Sequence, residues 1–469
     1  MGSFKRVSVL VLLVFAGMIP GTTLAGSDPD AGQVPVLVKS RVPLTKEVIT
    51  ALGGHGAHVK YVWPEIQALA MTVSLSDREA LAADPDVVFV ETDQQGWAEG
   101  ASQAGSGAVA PEPREAVTLS SPGTPLETWN LSMARTGGTG FDGTGVTVAV
   151  VDSGLPQNWP EFLPPGVVDL EHARGFSAEG WGDFHNPGQG IRGVGGHVGQ
   201  FPHGLAVSSV IVGFPSFLGP IGGAAPGVKI LPVRVLNQFN SGWFSWFAAG
   251  ILYVADLKAS GALPGPVVIN FSIQARGDSA ILKEAIDHAI AQGVLFVTIA
   301  GNFGPSSGSI AFPGRLQESI TAGSTGWRGI GATPDWFLGT VPPDDPGQVY
   351  VSGFSGREIP GAPPASQIDV LAPGEWVFGQ WLFGPGFSEG RRASSYDVDF
   401  FIFGTSFACP HVVGIVAQML QKNPALIQAQ AEAILRSTAL PIPPLLPEWG
   451  ADATGKGLVR GAAAVAATP

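Results

Sequence analysis

The amino-acid sequence predicts an α/β fold, a doubly wound parallel sheet preceded by a small α+β module of ferredoxin-like order. Three observations carry this. VTVAVV (146–151), KILPVRVL (229–236), PVVINFSI (266–273) and VLFVTIAG (294–301) are nearly continuous apolar runs. Strands buried on both faces of a parallel sheet have that composition. Between the last two runs, DSAILKEAIDHAIAQG puts Leu282, Ala285, Ile286, Ala289 and Ile290 on one helical stripe. Strand-helix-strand units of this length need right-handed crossovers, which wind helices onto the sheet. Residues 33–95, finally, alternate short strands and helices in the order β-α-β-β-α-β.

Taken in order, the chain opens with Lys5 and Arg6, an apolar run from Val7 to Met18, and Thr23-Leu24-Ala25. A basic start, a short apolar centre and a small-residue end describe a secretory signal peptide, assigned to residues 1–25. As a helix the run spans only about 18 Å, short of the roughly 30 Å hydrocarbon core of a bilayer. In the module, VPVLV (34–38) is expected as a strand and 45–52 as a helix closed by Gly53 and Gly54. HVKYVW and ALAMTVS alternate like half-buried strands. Ser76 and Glu79 form an S-x-x-E capping box for a second helix ending before Asp84-Pro85, and VVFVE (87–91) is the last strand. Residues 96–125, rich in Gly, Ala, Ser and Pro, are expected to be a linker open to proteolysis. The large domain is 126–469, where Asp278 is the expected cap of the helix before VLFVTIAG and Gly293 its end.

Composition excludes several function classes. The 469 residues include 38 acidic and 25 basic side chains, a formal net charge of −13. That balance argues against sequence-independent binding to nucleic acid or anionic membranes, which needs clustered Lys and Arg. Hydrophobic residues make up 45% and charged ones 13%, so long disordered tracts are not expected. The single cysteine, Cys409, excludes an intramolecular disulfide and any zinc site of several thiolates.

On an open α/β sheet, functional groups gather beyond the carboxyl ends of the strands. Asp152 directly follows VTVAVV, and Asn302 directly follows VLFVTIAG. Two further segments join them, PHGLAVSSVIVG with His203 and GTSFACPHVVG with Ser406. A serine hydroxyl is a weak nucleophile until an imidazole takes its proton, and a buried carboxylate fixes the imidazole's tautomer. The tetrahedral oxyanion needs donors set in advance; a side-chain amide and a helix-start N–H serve. Ser406 is expected at the start of an amphipathic helix with Pro410 in its first turn.

These segments resemble the subtilisin-like serine endopeptidases, peptidase family S8, made with an N-terminal inhibitor I9-type propeptide. The similarity runs from about residue 33 to the C-terminus and takes in GAAPGVKILPVRVL, IDVLAPG and GKGLVRGAAAV. By this resemblance Asp152 orients, His203 is general base and acid, Ser406 is the nucleophile and Asn302 the oxyanion donor. It also implies substrate binding by Ser272, Ile273, Gln274, Ile299, Ala300 and Gly301, and a propeptide role for the module at 33–95. The whole would be a secreted, monomeric, self-processing zymogen acting on peptide or protein substrates through an acyl-enzyme. That chemistry requires no cofactor; the family often carries structural Ca²⁺, for which no ligands are assigned here.

The chain departs from the family pattern at Leu205-Ala206-Val207-Ser208-Ser209 after His203-Gly204, and at Gln274, where a glycine is usual. It departs again at Cys409, in place of Ser or Thr, and in insertions near 172–200, 326–350 and 376–400. Two rival readings stay open: an inactive relative on this fold, and a latent propeptide-bound form acting as a binding module. His197, in the first insertion, is a rival base to His203. His411 is expected to be structural. Asp169, Glu171, His172, Asp183 and His185 fit no ligand spacing and are expected in a solvated loop. The sequons at Asn130 and Asn270 are taken as chance, the second falling in an expected buried strand.

Overall fold

The computed structural model describes residues 32–54, 57–99, 101–102, 124–156, 158–177, 202–216, 218–342, 344–363, 368–381, 399–445 and 447–469. The expected signal peptide, most of the expected linker, Asp183, His185 and His197 lie outside these residues. Among the described residues no helix is long and apolar enough to cross a membrane.

In the small module, the strands Gln33–Ser40, His58–Trp63, Ala68–Ser74 and Val87–Thr92 form an antiparallel sheet ordered second, third, first, fourth. The helices Lys46–Gly53 and Leu75–Ala82 enclose a small core with Val36, Val38, Leu69, Met71 and Val87. The second helix starts earlier than the S-x-x-E pattern implies. Ser74, still extended at φ −68° and ψ 162°, caps it by accepting from Asp77 N at 3.1 Å. Ser76 and Glu79 therefore lie inside the helix. The strand runs directly into the helix, so the serine that ends the strand takes the cap.

The large sheet runs Val349–Val351, Ile320–Trp327, Val294–Ile299, Val267–Phe271, Thr147–Asp152, Lys229–Arg234, Arg174–Gly175, with Val370–Pro373 also paired to Ile320–Trp327. Its pairings are parallel except at Val349–Val351. Alternation along one strand splits its residues between two cores. Val148 and Val150 join the side covered by the helices His203–Val212, Thr405–Lys422 and Gln428–Thr438. Ala149 and Val151 join the side covered by Phe244–Ala259 and Ala280–Ala291. Ser279, not Asp278, caps the latter helix, its Oγ accepting from Leu282 N at 3.0 Å. Asp278 instead takes Arg315 Nε at 2.7 Å. Gly293, at φ +80°, follows the helix in the left-handed conformation a glycine accepts readily. The insertion near 326–350 packs into the protein: Trp336 stacks on Phe401 with ring centroids 4.9 Å apart.

The small module rests on the face of the Phe244–Ala259 and Ala280–Ala291 helices. Leu37, Tyr61, Trp63 and Ile66 belong to the same apolar cluster as Phe244, Ile281 and Ala285. Two module carboxylates cap those helices. Glu91 accepts from Ala280 N at 3.0 Å and Ile281 N at 3.3 Å, and Asp93 accepts from Ser245 N at 3.0 Å. First-turn N–H groups have no partner within a helix, and the helix dipole favours an anion beside them.

Candidate active site

Asp152 is the last residue of its strand and His203 the first of its helix. A Cβ at position 204 would lie 2.3 Å from Gly154 O, so glycine lets the helix start approach the loop after Asp152. Gly204 N donates to Ser153 Oγ at 2.9 Å and locks that approach. His203 Nδ1 lies 2.9 Å from both Asp152 oxygens, with both side chains fully buried. A carboxylate oxygen accepts, so in the neutral imidazole Nδ1 is the donor and Nε2 the acceptor. Nε2 is buried and has no hydrogen-bond partner among the described residues. Phe407 and Trp381 flank the ring, with centroids at 5.5 Å and 6.4 Å.

Ser406 is the second residue of the Thr405–Lys422 helix, so its N–H is one of the first-turn donors that helix geometry leaves free. Pro410 sits one turn deeper than expected, in the helix interior. A residue there would ordinarily donate its N–H to the carbonyl of Ser406, and proline has none. Ser272 Oγ takes over, donating to Ser406 O at 2.9 Å. Ser406 Oγ itself donates toward Ser272 O at 3.3 Å and Glu99 O at 3.2 Å rather than to His203 Nε2.

Asn302 follows the strand Val294–Ile299. Its Oδ1 accepts from Thr405 N at 2.9 Å and Thr405 Oγ1 at 2.8 Å, which turns Nδ2 outward to donate to Glu99 O at 3.0 Å. Thr405 was missed by sequence reasoning. Its only signal is its place directly before Ser406; its partner is 103 residues away.

Glu99 is the second missed residue. It lies at the start of the segment expected to be a linker, and that segment is threaded through the cleft. Gln95–Trp97 pairs antiparallel with Ser241–Trp243. On the other side Trp97 and Gln274 exchange two backbone hydrogen bonds of 2.9 Å. Ala98 N donates to Asn240 O at 3.1 Å, and Asn240 Nδ2 donates back to Ala98 O. Farther along, Ala101 and Ser102 pair with Phe403 and Ile402. Gln274 Nε2 donates to Glu99 Oε2 at 2.8 Å while its Oε1 accepts from Asn302 N at 2.7 Å. Ile273, Ile299 and Ala300 are buried beneath, and Gly301 adopts φ +84° against Ala311.

The remaining candidates have structural roles. His411 is buried, donating from Nδ1 to Phe407 O at 2.8 Å and accepting from Asn130 Nδ2 at 2.9 Å. Burial lowers its pKa to about 4, so it is neutral near pH 7. Asn130 and Asn270 are both buried, closing their sequons to modification. Cys409 is buried with its thiol pushed up to about 12 by desolvation. Asp169 pairs with His172 at 2.8 Å. Among the described residues no group of three or more His, Cys, Asp or Glu side chains is gathered so as to hold a metal ion.

Comparison with known proteins fits this geometry. The sequence matches the Subtilase family, Peptidase S8, over residues 143–462. It is 25% identical over 374 residues to alkaline elastase YaB of Bacillus sp. (strain YaB), covering 80% of this chain and 74% of that one. It is 26% identical over 397 residues to subtilisin E of Bacillus subtilis (strain 168), covering 84% and 80%. Among solved structures, fervidolysin from Fervidobacterium pennivorans shares the fold with a TM-score of 0.67 at 22% identity. That match covers 93% of this chain and 61% of fervidolysin. A strand-end aspartate paired to a helix-start histidine, on a doubly wound sheet and inside a match of that length, marks the chain as a member of the subtilase family, a subtilisin-like serine endopeptidase.

Proposed function

We propose that this chain is a secreted, self-processing serine endopeptidase, made as a zymogen, in which Asp152, His203 and Ser406 form the triad and Asn302 donates to the oxyanion. One observation carries the reading. Ser406 Oγ and Asn302 Nδ2 converge on the same peptide oxygen, Glu99 O, at 3.2 Å and 3.0 Å, beside an imidazole held by Asp152. Oxyanion donors act from about this distance.

In the reaction Ser406 Oγ turns to His203 Nε2, gives up its proton and attacks the carbonyl carbon. Asp152 stabilises the imidazolium that forms. The oxyanion takes hydrogen bonds from Asn302 Nδ2 and the Ser406 N–H. Its collapse breaks the C–N bond, and His203 returns the proton to the leaving amine. Water, activated by His203, then hydrolyses the ester, releasing a carboxylate and restoring Ser406.

The zymogen reading is supported by the module's carboxylate caps and by the module's own chain lying across the cleft. Export is supported by the basic, apolar and small-residue order of residues 1–25. Partners are peptide or protein substrates and the chain's own propeptide, 33–95, with the enzyme acting as a monomer. The test is purified Ser406→Ala, which should keep the 33–95 module covalently attached and resist a fluorophosphonate label that modifies the wild type. His203→Ala should lose several orders of magnitude in turnover while His197→Ala keeps most of it. Normal self-processing by Ser406→Ala would overturn the reading.

A further inference from the structure

We infer that self-processing cuts the peptide bond following Glu99, and that Gln274 makes the enzyme select glutamate or glutamine immediately before the scissile bond. The inference rests on the proposed protease function and adds to it a cleavage position and a substrate class.

Register sets the cleavage position. Residues 95–97 are held from both sides, by Ser241–Trp243 and by Gln274, and two residues farther on the Glu99 carbonyl reaches Ser406 and Asn302. A slip by one residue would move each side chain to the opposite face. Gly96 resists that slip. A Cβ there would lie 2.9 Å from both Gln274 O and Phe247 Cε2, so neither Gln95 nor Trp97 can take its place.

The side-chain preference follows from how Gln274 is held. It is fully buried, and Asn302 N–H engages its Oε1 at 2.7 Å. A flipped amide would set N–H against N–H, so Nε2 faces the cleft as a donor, 2.8 Å from Glu99 Oε2. A carboxylate or amide oxygen satisfies that donor. A lysine or arginine brings donor against donor, and a leucine leaves the N–H unpaired. Glu99 stays exposed at its outer surface, so the discrimination should be about tenfold, well below that of an enclosed site. The bond broken joins Glu99 C to the next nitrogen, which takes the proton from His203; water supplies the hydroxyl that completes the new Glu99 carboxylate.

The experiment uses the full chain. N-terminal sequencing of the processed wild type should begin at Gly100. Peptides differing only before the scissile bond should show kcat/KM about tenfold higher for Glu and Gln than for Leu or Lys. Glu99→Leu should slow self-processing in the wild-type background, yet Glu99→Leu with Gln274→Leu should process faster than Gln274→Leu alone. That reversal is something a merely structural Gln274 would not produce. Processing after another residue, or equal rates on all four peptides, in a protein that labels with fluorophosphonate, overturns this inference and leaves the protease reading intact. A folded wild type that neither labels nor cuts overturns both.

Discussion

Thr405 holds the amide of Asn302 at one atom, donating to Oδ1 from its N–H at 2.9 Å and from its hydroxyl at 2.8 Å. The residue before Ser406 thus sets the direction of Nδ2, 3.0 Å from the carbonyl oxygen in the cleft. Thr405→Val keeps the shape and loses the hydroxyl, so kcat should fall about tenfold with KM nearly unchanged. Thr405→Ser should recover most of the loss. Asn302→Ala, which removes the donor, should cost about 10²–10³ in kcat. Steady-state kinetics on one peptide substrate check all three, and an unchanged kcat in Thr405→Val would remove its positioning role.

Cys409 lies one helical turn beyond Ser406, but its thiol is fully buried and points at Val297 O, 3.6 Å away. Desolvation pushes its pKa up to about 12, leaving almost no thiolate near pH 7. Iodoacetamide should therefore leave the native enzyme active and alkylate Cys409 only after unfolding. Mass spectrometry of treated native protein decides it: an adduct at Cys409 under native conditions would contradict the burial.

The large sheet was legible because strands buried on both faces leave long apolar runs, and Val148 to Val151 feed two cores by simple alternation. The places of the candidate residues Asp152, His203, Asn302 and Ser406 were legible because each lies at, or just past, a strand or helix end with glycine nearby. Caps were harder. Ser74 displaced Ser76, and Ser279 displaced Asp278, because the cap belongs to whichever residue the preceding segment releases last. Glu99 could not be found from its own segment, since QGWAE has no periodicity and its strand character comes from Ser241–Trp243 and Gln274. Thr405 and Asn302 meet only through the fold.

Asp93 gives the docked module a pH dependence of fixed sign. Burial pushes its pKa up to about 6 from 3.8, against the pull of its hydrogen bond from Ser245; Lys60 lowers it and Glu91 raises it. The docked state thus holds the proton more tightly. This contribution to stability is fully present below pH 3.8 and is lost as pH rises through about 6. The gap, at roughly 1.36 kcal/mol per pKa unit, makes it about 3 kcal/mol. Asp93→Asn can still cap the helix but does not titrate. In a Ser406→Ala background, the stability of the protein retaining Asp93, relative to that of its Asp93→Asn variant, should rise as pH falls from about 7 to about 4. Thermal melts of the pair across that range check it, and a constant difference would refute it.

Pro410 and Ser272 should be energetically coupled. Proline withholds the N–H that would reach Ser406 O, and Ser272 Oγ supplies the hydrogen bond at 2.9 Å. Asn270 Nδ2 donates to the same Oγ at 2.9 Å, which leaves the hydroxyl proton for the carbonyl. Ser272→Ala should then destabilise the protein by about 1–3 kcal/mol, because the buried carbonyl of Ser406 loses its partner. Pro410→Ala restores a main-chain donor to that carbonyl, so Ser272→Ala should cost less in its presence. The rescue is partial, since Asn270 still loses its acceptor. A double-mutant cycle by urea unfolding should give a coupling of about 0.5–2 kcal/mol. Strict additivity would show that the Ser406 carbonyl does not depend on Ser272, and that the serine's role lies elsewhere in the cleft wall.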